Sequence, residues 1–132
     1  MNNTDYIRLS FPVNPAYVST ARLTASSIAN RIRLDVDETE DIKTAVSEAC
    51  IYIIKRSAAF AGNHFEICFM PQVGEMSVEI SAQDNRDLQN VSGEEMSLMM
   101  IKALVDKFDI TKPTQDQISI TMVKKHKETA FD

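Results

Sequence analysis

The stretch DETEDIKTAVSEACIYIIKR, residues 37–56, sets Ile42, Ala45, Val46, Ala49, Cys50 and Ile53 at spacings of three and four. That periodicity predicts a helix with one apolar stripe turned to a core. Asp37 and Glu40, three residues apart, have the form of a capping box at its start, and Gly62 and Asn63 mark the latest point at which it ends. Upstream, Val18, Ala21, Ala25, Ile28 and Ile32 repeat the same spacing. Asn14 is placed to cap that earlier helix, with Pro15 at its first position, where a missing amide costs least.

The helices are flanked by strand patterns. Ile7, Leu9 and Phe11 alternate with polar residues over 5–11 and stop at Pro12. Residues 64–70 and 76–82 alternate as Phe65, Ile67, Phe69 and Met76, Val78, Ile80, Ala82, and the connecting QVGE with Gly74 predicts an antiparallel hairpin. A third helix is expected from about Ser92, and a final strand carries Ile118, Ile120 and Met122. The resulting order is β-α-α-β-β-α-β. Two consecutive helices before a hairpin do not suit a doubly wound parallel fold. They predict an α+β two-layer sandwich, with helices on one face of a mixed sheet.

At 132 residues, with 44% hydrophobic and 25% charged residues, the chain is expected to form a single domain over 1–132. The tail after Val123, KKHKETAFD, reads as a polar end that frays. A net charge of −5 gives no footprint for nucleic acid or an anionic membrane. No apolar run approaches the length of a membrane span or signal peptide, and Cys50 and Cys68 sit in apolar segments with no disulfide spacing. A cytoplasmic protein with free thiols is expected. His64 and His126 form no metal-ligand pattern with the cysteines, so no metal site is expected.

AVSEACIYIIKR (45–56), and the longer RLTASSIANRIRLDVDETEDIKTAVSEAC (22–50), resemble the anti-sigma factor serine kinases of the GHKL, or histidine-kinase-like, ATPase superfamily. The resemblance spans roughly 5–123 and weakens after Ile80. It implies a nucleotide site whose second helix carries a glutamate and, four residues on, a magnesium-binding asparagine. Glu48 matches the first position, the catalytic one, and Tyr52 stands at the second. A phenol is a poorer magnesium ligand than an amide oxygen, and Tyr52 is expected to fill the vacated pocket or cover the sheet edge.

The resemblance also implies an aspartate that reads adenine at a strand end. Alternation places Ala82 there, and Asp84 takes the position only if the register slips by two, so QDNRD reads as a polar turn. The phosphate-binding glycines of the family fall on Glu94, Glu95 and Ser97, with Gly93 alone remaining nearby. Ser92 and Glu95 have the form of a capping box that satisfies the helix's own amides. Each carboxylate facing a triphosphate at about 5 Å costs roughly 1–3 kcal/mol for effective dielectric constants of about 80 to 20. Only the short segment around 83–91 is left for a closing lid.

The expectation is therefore a degenerate relative, a pseudokinase that works by binding protein and requires no cofactor. The resemblance implies a sigma factor or an anti-sigma-factor antagonist as partner, and a possible homodimer. The alternative is an active serine kinase using ATP and magnesium, with Glu48 as base and Asp84 on adenine. A third possibility is a different small molecule in the remodelled pocket. Met96, Met99 and Met100 are assigned mainly to the core, with a binding groove as the lesser reading.

Overall fold

The computed structural model describes residues 5–57, 64–85 and 95–128. Its elements run β1 (Ile7–Pro12), a 3-10 turn (Pro15–Tyr17), α1 (Val18–Ala29), α2 (Val36–Ser57), β2 (His64–Gln72), β3 (Glu75–Gln83), α3 (Glu95–Leu104), β4 (Lys107–Thr114) and β5 (Gln117–Lys125). Asn14 caps the 3-10 turn rather than an α-helix, its side-chain oxygen accepting the Ala16 amide at 2.9 Å.

The capping box of α2 forms two residues ahead of the expected one. The Glu38 amide donates to Asp35 Oδ1 at 2.7 Å, and the Asp35 amide donates to Glu38 Oε1 at 2.8 Å. The run DVDETE contains Asp-x-x-Glu twice, at 35/38 and 37/40. The earlier frame prevails because Glu38 points inward to further donors, whereas Asp37 and Glu40 face solvent.

The expected two-layer α+β sandwich is present, with one five-stranded sheet in the order β1-β2-β3-β5-β4 among the described residues. Its pairings are all antiparallel, where a mixed sheet was expected. The difference comes from β4, which the sequence reading passed over. Phe108 and Ile110 are its apolar alternation, and Pro113 and a register shift between Thr111 and Thr114 interrupt it. An edge strand tolerates a proline because its outer side owes no ladder bonds. With β4 in place, β5 returns beside it as a hairpin and also lies antiparallel to β3.

Helix α2 is the centre of the helical layer, packed between α1 and α3 and against β3 and β5. Its fully buried Ile42, Val46 and Ile53 face an apolar sheet surface that includes Ile67, Ile80 and Ile120. Cys50 is buried among them, and burial pushes its thiol up to about 12. Both Cys50 and Cys68 are free. Gly74, at φ 75°, takes the left-handed conformation that closes the β2–β3 hairpin. Its amide donates to Ile32 O at 2.6 Å, and its carbonyl accepts the His126 amide at 2.8 Å.

The end expected to fray after Val123 is instead held through Lys127. Strand β5 continues to Lys125, and the half-buried His126 Nδ1 lies 2.8 Å from Glu38 Oε1. The Lys127 amide donates to Glu38 Oε2 at 2.7 Å. Lys124, nearly buried, donates to Asp41 Oδ2 at 3.0 Å and Leu104 O at 2.7 Å. The polar composition that suggested a loose end is what ties this segment to α2 and α3. No described helix is long and apolar enough to cross a membrane.

Candidate nucleotide-type site

Glu48, Tyr52 and Arg56 succeed one another at intervals of four along α2, so they share a helical face. Glu48 is half-buried, whereas Tyr52 is only 2% exposed, so its phenol is enclosed. That leaves Tyr52 filling space beneath the helix rather than presenting a ligand to solvent.

Beyond Ala82, itself buried at the end of β3, the inward-facing alternation continues without a slip to Asp84, which is 0% exposed. Asp84 is not part of a solvated turn, as the sequence had suggested. Its amide donates to Asp116 O at 2.8 Å, which pins the chain leaving β3 to the β4–β5 hairpin. Its carboxylate oxygen Oδ2 accepts the Arg56 Nε–H in a buried ion pair. The Arg56 guanidinium carbon also lies 5.9 Å from the Tyr52 ring centroid. Lys112, from β4, donates to the Asp84 carbonyl, and Ser57 Oγ donates to Gln83 O at 2.8 Å.

This cluster joins the end of α2 to the ends of β3 and β4. Arg56 does not stand out in the sequence as a site residue. Its signal was the repeat of fours after Glu48 and Tyr52, which sets a cation on the same helical face. Beside it, a cavity of about 470 Å³ is lined by Asn85, Lys112, Thr114, Gln115 and Asp116.

Gly93 and Glu94, the Ser92 cap and most of the expected lid segment lie outside the described residues. Glu95 is the first residue of α3, and Ser97 lies half-buried in its first turn. Met96, Met99 and Met100 are 81%, 67% and 44% exposed. Their assignment to the core is therefore wrong, because the inward face of α3 is taken by Ile101 with Leu98 and Leu104.

One further cluster holds groups that suit a metal. Ligand atoms of Asp35, Glu38 and His126 lie within 4.8 Å of one another. Their geometry is that of a structural dock: both Glu38 oxygens and Asp35 Oδ1 accept hydrogen bonds from amides and from the His126 ring. Burial pushes the Glu38 pKa up, but the Asp35 amide, His126 and the Lys127 amide outweigh it and hold the carboxyl below its usual value.

The magnesium-nucleotide complex implied by this class of fold fits the described residues poorly. Asp84, the carboxylate a purine amino group would approach, already accepts the Arg56 Nε–H in a buried ion pair, and the side chain at the metal-ligand position is an enclosed phenol.

The chain is a helical layer on one face of an antiparallel sheet, with a polar cluster where the second helix meets a strand end. Residues 11–124 match the family model described as a histidine kinase-like ATPase domain, and the chain belongs to that family. Its resemblance to the anti-sigma factor serine kinases is borne out by its relatives. The serine-protein kinase RsbW of Bacillus cereus (strain G9842) is 32% identical over 115 residues, covering 87% of this chain and 66% of the relative. RsbW of Bacillus subtilis is 46% identical over a shorter 56 residues, 42% of this chain and 35% of the relative. The chain thus spans just under two thirds of the Bacillus cereus relative.

Two solved structures share the fold. A chain of the SiaB-SiaC complex from Pseudomonas aeruginosa superposes with a TM-score of 0.70 at 10% identity, over 89% of this chain and 88% of that one. The RsbU and RsbW domains of Rv1364c from Mycobacterium tuberculosis also give 0.70, at 17% identity, over 96% of this chain and 34% of that one.

Proposed function

We propose that this protein is a regulatory member of the anti-sigma kinase branch that acts by binding protein, its nucleotide site having lost the chemistry of phosphoryl transfer. The buried Arg56–Asp84 pair carries the reading. A carboxylate already neutralised by an internal guanidinium, in a site closed to solvent, has little to offer a purine amino group. Phosphoryl transfer also depends on a metal bridging the phosphates, and Tyr52 is a weak candidate to hold one. The class of partner is a sigma factor or an anti-sigma-factor antagonist. Support for a protein partner comes from the RsbW relatives and from the neighbour whose structure is a SiaB-SiaC complex. No cofactor is required for this mode of action, and self-association into a homodimer is compatible with it.

Calorimetric titration with magnesium-ATP is the direct test. The expected result is no saturable heat, and micromolar affinity would overturn the proposal. The second reading, an active serine kinase, rests on Glu48 remaining half-exposed on α2. It requires transfer of labelled phosphate to a partner protein that disappears in Glu48→Ala.

A further inference from the structure

We infer that Arg56 is a built-in plug, its guanidinium occupying a site for flat N–H donors formed by the Asp84 carboxylate and the Tyr52 ring. The inference rests on the nucleotide-blind reading above and deepens it by assigning an occupant to the closed site.

Arg56 Nε–H donates to Asp84 Oδ2, and the guanidinium carbon lies 5.9 Å from the Tyr52 ring centroid. The Arg56 side chain is 1% exposed and that of Asp84 0%. A planar group that donates to a carboxylate while lying beside an aromatic ring is the general binding mode of guanidinium, amidinium and aminated heterocycles. Arg56 supplies that group from within the chain. Lys112 donates to the Asp84 carbonyl and Ser57 Oγ to the Gln83 carbonyl, which hold the backbone beside the pair.

Two consequences follow from ordinary electrostatics. The Arg56 contact offsets part of the cost of burying this carboxylate, so removing the guanidinium vacates a contact at Oδ2 that a replacement donor can restore. The replacement must be flat, because the plane it enters was shaped for a guanidinium. A guanidinium cation and an aminated heterocycle share this chemistry, and the probes below distinguish them.

Arg56→Ala is titrated with methylguanidinium and, separately, with adenine, both at millimolar concentration, with thermal denaturation as the readout and wild type as control. The expected result is a saturable rise of several degrees in the variant with methylguanidinium, absent in wild type and abolished in Arg56→Ala/Asp84→Asn. A rise with adenine as well extends the site to aminated heterocycles, and its absence restricts the site to cations. Equal responses in variant and wild type, or no response of a folded variant to either probe, overturns the plug. Should Arg56→Ala fail to fold, the wild-type protein supplies the test. Its Arg56 Nε–H resonance is expected to exchange at least a hundredfold more slowly than that of an exposed arginine, and exchange at the exposed rate refutes the assignment. Saturable magnesium-ATP binding to wild type would defeat the proposed function. A wild type blind to nucleotide with an unresponsive folded variant defeats the plug alone.

Discussion

Glu38 gathers three donors, the amides of Asp35 and Lys127 and the ring of His126, onto one nearly buried carboxylate. Its pKa is held below the ordinary value of 4.5, so the unfolded chain takes up a proton at a higher pH than the folded one. The stability contributed by this group is therefore fully present above about pH 4.5 and is lost as pH falls through the lower folded value. Urea midpoints measured from pH 7 down to about pH 3.5 should fall more steeply in wild type than in Glu38→Gln. Equal slopes would show that the carboxylate is not ionised in the dock. Individual side chains were unevenly legible in the sequence. The shared helical face of Glu48 and Tyr52 was readable from their spacing of four, while the roles expected of them came from the family resemblance. Asp84 was misread because a polar run after a strand ordinarily solvates, and the arginine that keeps it buried lies 28 residues away.

The secondary structure followed the same division between local and distant causes. The stripes of α1 and α2 and the β2–β3 hairpin were legible because period and turn chemistry are local properties. Strand β4 was not, since Lys107, Lys112 and Pro113 dilute a pattern that only its pairing with β5 completes. The hairpin offers a sharp test of turn chemistry. Gly74 holds φ 75°, yet among the described residues a Cβ there would meet only the Cβ of His126 at an ordinary 3.9 Å. Gly74→Ala should therefore cost about 1–2 kcal/mol from backbone conformation alone, read as a lowered denaturation midpoint. A loss beyond about 3 kcal/mol would mean that the amide contact to Ile32 or the carbonyl contact to His126 had broken as well.

For the molecule taken together, a helical layer on one face of a sheet was readable from element order, while the all-antiparallel pairing and the closed state of the polar cluster were not, because the one needs β4 and the other joins Arg56, Asp84 and Lys112 from three different elements. The methionines of α3 show the opposite failure. Their apolar chemistry suggested a core, but Ile101 fills that role and Met96 and Met99 stand in solvent. Replacing Met96 and Met99 with glutamine should therefore change folding stability by no more than about 0.5 kcal/mol per site. A larger loss in chemical denaturation would place them in packing contact after all.

The position of β5 between β3 and β4 has a consequence for biosynthesis. The last described strand of the sheet to be translated lies inside it, so a nascent chain halted before Gln117 has the edge of β3 and part of the inward face of α2 without the strand that covers them. Cooperative closure must wait until β5 has left the ribosome. A product truncated ahead of it would present β3 as a raw edge, open to pairing with other chains.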